Sequence, residues 1–141
     1  MPQTLESIKK LLAEEGYTCV LSNGEELITS REKGVKPLVQ LIDGGRDFKG
    51  FFAADRTVGK AAALLYAYMG VTEVYAFVAS EKGADICRSY GIKLSFERLT
   101  ENIINRTGDD ICPMEKTVAE IDDPKEAVAA IKGTMKRLTS K

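Results

Sequence analysis

The chain contains no histidine. That removes the commonest general acid–base and the commonest metal ligand, and leaves proton transfer to Asp, Glu, Lys, Tyr and Cys. Cysteine is scarce: Cys19, Cys87 and Cys112 are far apart, odd in number and without CxxC spacing. Free thiols in a reducing cytoplasm are the simplest reading of that pattern. No apolar run approaches the roughly 18 residues needed to span a bilayer. The opening MPQTLESIKKLLAEEG is amphipathic, carries three glutamates and lacks the apolar centre and cleavage site of a signal peptide. Neither sign of charge dominates, with 20 basic against 21 acidic residues and a net charge of -1. Such a balance exerts no general pull toward nucleic acid or an anionic membrane. These absences together describe a cytoplasmic protein with no membrane or nucleic-acid partner and no metal or cofactor.

What is present fits one compact domain: 141 residues, 44% of them hydrophobic. Leu5, Ile8, Leu11 and Leu12 recur at helical spacing over Thr4 to Glu15, and Gly16 stops that helix. Two β-prone runs, YTCVLS and EELITS, flank Asn23-Gly24, a strong hairpin signal. A second helix is expected from about Val35 to Ile42, with Pro37 in its first turn. GFFAAD reads as a strand, Val58 to Met69 as a buried helix, and EVYAFVAS as a central parallel strand. Glu81 to Tyr90 reads as a helix closed by Gly91, and KLSFERL as a further strand. Thr100 to Asp110 is mostly loop, and Pro113 to Ile121 is helical. The last helix starts with Asp123 as N-cap and Pro124 at its first position, and buries Val128, Ile131, Met135 and Leu138. A hairpin feeding alternating strands and helices implies an α/β fold, a mixed sheet between helices in a three-layer α/β/α sandwich. Ligands in such folds bind beyond the carboxyl ends of the parallel strands.

Two of those strand ends carry candidate chemistry. In AADRTVGKAAA, Asp55 is expected to end a strand, Thr57 to cap the next helix, and Gly59 to let backbone approach a ligand. Ala54 to Ala61 resembles a phosphate-binding P-loop but has Ala54 in place of its first glycine and Ala61 in place of its metal-binding hydroxyl. A simple anion at the helix N-terminus fits better than a nucleotide triphosphate under hydrolysis. Lys60 then reads as an anion ligand, or as a lysine snorkelling from a core helix. In NRTGDDICPMEKTV, Pro113 at the first helical position makes Cys112 the N-cap and Glu115 the third residue, a capping box with sulfur in place of oxygen. The positive helix end and Arg106 favour thiolate at Cys112, while Asp109 and Asp110 oppose it. Asn105 and Arg106 offer amide and guanidinium donors for a carboxylate or phosphate. Ser80, before the fourth helix, is an ordinary cap candidate.

Four segments carry a family resemblance: SNGEELITSREKGVKPLVQLI, ADRTVGKAAALL, VTEVYAFVASEKG and IINRTGDDICPMEKTV. Over roughly residues 17 to 121 the chain resembles a small prokaryotic domain-of-unknown-function family with a cytidine-deaminase-like fold. The resemblance implies an α/β/α sandwich and no particular activity. Zinc deaminases place a His- or Cys-x-Glu segment and a Pro-Cys-x-x-Cys segment at two helix N-termini. Here the corresponding stretches read TVGKA and ASEKGAD, and CPMEK has one cysteine before its proline and none after it, so the zinc ligand set is missing.

Three readings of function follow. The first is a domain binding a small anionic or nucleotide-like ligand through Asp55, Lys60, Asn105 and Arg106, with Cys112 and Glu115 alongside. The second is a metal-independent enzyme with Cys112 as nucleophile and a carboxylate or Lys60 as base. The third is a non-catalytic interaction module whose amphipathic terminal helices form a homodimer face.

Overall fold

The computed structural model describes residues 3–104, 108 and 110–139. Asn105, Arg106 and Asp109 lie outside the described residues.

Helix α1 (Leu5–Glu14) opens with a capping box in which Thr4 and Ser7 exchange backbone–side-chain hydrogen bonds of 2.8 and 3.1 Å. Ile8 and Leu12, one turn apart, point inward and are fully buried. Strands β1 (Cys19–Ser22) and β2 (Leu27–Ser30) form the expected hairpin. Asn23 Oδ1 accepts from the N–H groups of Glu25 and Glu26, and Gly24 takes φ +102°, a conformation that favours glycine. Helix α2 (Lys36–Asp43) follows, with Pro37 in its first turn. Then come β3 (Phe52–Val58), α3 (Lys60–Met69), β4 (Glu73–Ser80), α4 (Glu81–Ser89) and β5 (Lys93–Thr100). A five-residue helix α5 (Pro113–Thr117) and the long α6 (Pro124–Thr139) close the chain. Asp123 caps α6, accepting from Glu126 N at 2.9 Å.

The five strands form one mixed sheet in the order β2-β1-β3-β4-β5. β1 runs antiparallel to both neighbours, and β3, β4 and β5 run parallel. Alternation along the strands separates two apolar clusters. Val20, Ala54 and Tyr75 pack with Ile8 and Leu12 of α1. Cys19, Leu21, Ala53, Val74 and Ala76 belong to the larger cluster, built on α3. There Leu64, Leu65 and Tyr66 are fully buried, and Ala127, Val128 and Ile131 of α6 close over them. This is an α/β domain with a five-stranded mixed sheet flanked by helices.

Three local expectations are corrected. β3 does not stop at Asp55 but continues to Val58, because Thr57 and Val58 stay in register with Val78 and Ala79 of β4. Thr57 therefore caps nothing, and Gly59 is the N-cap of α3 with no side-chain bond of its own. The helix expected over Pro113 to Ile121 ends at Thr117, after which the backbone turns away, with Ile121 N donating to Val118 O. Leu138, expected in the buried stripe of α6, is 49% exposed in the last turn of that helix.

Candidate functional site

At the carboxyl end of β3 the chain enters α3 through Gly59. Helix N-termini leave N–H groups without intrahelical partners, and the dipole favours negative charge there. The negative charge comes from α5. Glu115 Oε1 accepts from Lys60 N and Oε2 from Ala61 N, both at 2.8 Å. Glu115 was expected to close a capping box on its own helix, and instead it caps a helix more than fifty residues away in sequence. The reason is visible at Gly59. A Cβ there would lie 2.2 Å from Glu115 Oε1 and 2.8 Å from Ile103 Cγ1. Glycine is what lets the carboxylate reach the helix end.

Lys60 does not point toward this carboxylate. Its side chain is 9% exposed, and its ammonium sits 2.8 Å from Asp122 Oδ1 while donating to Ala119 O at 3.1 Å. The buried stem and paired head tie α3 to the segment between α5 and α6.

Cys112 lies at the same end of the molecule as Lys60, half-buried at the start of α5. Its carbonyl accepts from Glu115 N and Lys116 N, and its N–H donates to Ile103 O at 2.9 Å. Its thiol makes no capping bond, so the sulfur capping box does not form. Lys116 pairs with Asp110, whose carboxyl that contact holds below the usual carboxylate range, helped by the N–H of Ile111. Ile104 and Ile111 form an antiparallel bridge. Ser80 caps α4 through Gly83 N at 2.9 Å. Gly83 in turn lies so near the β3–α3 turn that a Cβ would meet Val58 O at 2.8 Å.

Asp55 belongs to a different place. It sits mid-strand and buried, beneath α3 rather than at its tip. Asp55 Oδ2 accepts from Tyr66 Oη at 2.7 Å, and Tyr66 Oη lies 3.3 Å from Cys19 Sγ. Burial pushes the Asp55 carboxyl up to about 6, against hydrogen bonds from Tyr66 and from the backbone of Thr57 and Arg56. Burial also raises Cys19 and Tyr66 well above their ordinary values, and the Asp55 charge adds to both shifts. A small cavity of about 100 Å³ borders Cys19, Leu21, Ile28 and Pro37. Sequence reasoning missed this cluster. Its one visible signal was Tyr66, a phenol inside a nearly all-apolar helix that needs a hydrogen-bond partner when buried.

The structure thus brings Lys60, Cys112 and Glu115 to one end, with Glu115 on the α3 backbone, and sets Asp55 apart. Among the described residues no three Cys, Asp or Glu side chains form a group that could hold a metal.

A larger pocket of about 280 Å³ lies elsewhere, between Arg46, Phe48, Tyr68 and Met69. The Arg46 guanidinium there is bidentate with Glu26 and lies over the Phe48 and Phe51 rings.

No curated protein matches the chain. Among solved structures it is similar to a DUF1893 family protein (TM1506) from Thermotoga maritima, with 28% identity and a TM-score of 0.85, covering 92% of this chain and 88% of that one. Residues 7–135 match the family model described as TM1506, domain of unknown function (DUF1893). That span includes the Gly59–Glu115 contact, the Asp55 cluster and every strand of the sheet, and the chain belongs to the DUF1893 family.

Proposed function

We propose that this domain binds a small anionic or nucleotide-like ligand at the N-terminus of α3, where the ligand's anionic group takes the seat that Glu115 fills. In this reading the scaffold is a cytidine-deaminase-like three-layer α/β/α sandwich without zinc ligands, working in the cytoplasm. The observation that carries the proposal is the seat itself. Two backbone N–H groups converge on one carboxylate at equal 2.8 Å distances, beside a glycine that keeps the approach open. A carboxylate held this way mimics the two oxygens of a bound phosphate or carboxylate. It sits on a five-residue helix that follows β5 in sequence across the tether of residues 101–112. Asn105 and Arg106 belong to that tether and are assigned here as further anion donors. Lys60 contributes by anchoring the seat rather than by touching the ligand.

The test is calorimetric titration of inorganic phosphate, nucleoside monophosphates and small dicarboxylates into the full chain and into Glu115→Ala. Removing the plug should tighten binding of one anion class by about tenfold or more, since the bound anion no longer competes with an intramolecular carboxylate. Arg106→Ala in the same background should weaken it. If neither protein binds any anion of the set, Glu115 is a structural cap and the reading fails. A nucleophilic role for Cys112 has less support, because both bases nearest in sequence logic, Glu115 and Lys60, are engaged elsewhere.

A further inference from the structure

β5 is an eight-residue strand at the edge of the sheet, and among the described residues no strand pairs with its outer side. Such an edge presents a row of free N–H and C=O groups. Proteins usually blunt it with charged side chains, proline or bulges. The charges of β5, Lys93, Glu97 and Arg98, are of both signs, so they can complement a second copy instead of repelling it. β5 contains no proline, its register against β4 is regular, and Phe96 and Leu99 are 40% and 45% exposed.

Its backbone orientation follows from one contact. Lys93 N donates to Thr72 O at 3.0 Å, just before β4, so Lys93, Ser95, Glu97 and Leu99 direct their backbone groups inward. Leu94, Phe96 and Arg98 direct theirs outward. Lys93, Ser95 and Glu97 share the sheet face of Tyr75, and Leu94 and Phe96 share the face of Ala76. The sequence from 93 to 97 is Lys-Leu-Ser-Phe-Glu, in which opposite charges are placed symmetrically about Ser95.

We infer that β5 pairs antiparallel with β5 of a second copy of this chain, about a two-fold axis at Ser95, giving one continuous sheet. In that register Leu94 and Phe96 exchange backbone hydrogen bonds with the partner's Phe96 and Leu94, and they bring apolar side chains together on one face. Lys93 lies opposite the partner's Glu97 and Glu97 opposite the partner's Lys93 on the other face. The two Ser95 side chains meet at the closely spaced position, where small hydroxyl residues fit. A two-fold normal to the sheet allows only registers in steps of one residue in its centre, and the neighbouring ones are worse. Centring on Glu97 sets that carboxylate against its own copy. Centring on Phe96 sets Lys93 against Leu99 and Leu94 against Arg98. Centring on Leu94 sets Lys93 against Ser95 and Glu97 opposite Gly91, before the strand begins, so both charge pairs are lost.

The test is sedimentation equilibrium on the full chain, K93E, E97K, their equimolar mixture and the double variant K93E/E97K. Both positions are exposed. Within the chain Lys93 pairs with Glu73 and Glu97 lies beside Tyr75, and the mixture, in which each chain keeps its own reversal, separates a lost dimer contact from those intrachain changes. Wild type should sediment at twice 15.4 kDa. Each single reversal should weaken self-association by about tenfold or more, since both cross-strand contacts become repulsive. The mixture should restore dimer, because opposite charges again face each other at both contacts, and so should the double variant. A monomeric wild type, or a dimer unmoved by the single reversals, overturns the proposal, as does failure of the mixture and the double variant to restore association.

Discussion

Asp55 shows how one residue changes meaning on folding. As a strand-end aspartate it reads as a ligand contact, but beneath α3 it is a buried carboxyl satisfied by Tyr66. Its pKa of about 6 against an ordinary 3.8 gives the sign of a pH effect. The folded state holds this proton more tightly than the unfolded chain. The stability it contributes is fully present below about pH 3.8, falls as pH rises, and is gone above about pH 6. Asp55→Asn should therefore flatten the urea-denaturation profile between pH 4 and 7 and stabilise the protein at pH 8. The difference between the two proteins removes the opposite effect of paired surface carboxylates such as Asp110 and Glu26. An unchanged difference across that window would show Asp55 to be ionised throughout. Gly59 is the second residue whose role waited on folding. Gly59→Ala should cost about 2 kcal/mol, because the new methyl collides with Glu115 Oε1 and unseats the cap. Thermal denaturation checks this, and the loss should shrink in a Glu115→Ala background, where the carboxylate to be displaced is absent.

Among the elements, α3 is the one on which the others depend. It is apolar nearly all round, as its sequence required, and packs against α2, α4, α5 and α6. Its N-terminus is closed by α5, and α4 crosses the turn leading into it at Gly83. Gly83→Ala should destabilise by about 1–3 kcal/mol, since the added methyl meets the backbone of Val58 and Gly59, which cannot rotate aside. The ends of elements were less legible than their existence. β3 continues past Asp55 because a parallel neighbour supplies partners for Thr57 and Val58. α5 ends after five residues, and its Glu115 caps α3 rather than its own helix.

At the scale of the molecule, two apolar clusters on opposite sides of one sheet hold the fold together. Leu65, fully buried at the centre of the larger cluster, and Leu138, half exposed on α6, test that division. Leu65→Ala should cost about 2–5 kcal/mol by transfer and cavity terms, while Leu138→Ala should stay within about 0.5 kcal/mol. Equal losses at the two positions in chemical denaturation would mean that α6 is anchored to its last turn.

Periodicity and turn chemistry alone determined the α/β class, the hairpin at Asn23-Gly24, the order of helices and strands and the burial of α3. These are local properties, set by side-chain spacing and backbone preference within a few residues. Tertiary structure decided the rest: that Glu115 caps α3, that Lys60 pairs with Asp122, and that Asp55 shares a proton network with Tyr66 and Cys19. Each joins groups eleven to more than fifty residues apart. A carboxylate seeks the nearest unsatisfied donors in space, and only the packing of α5 on α3 made those donors the N–H groups of Lys60 and Ala61.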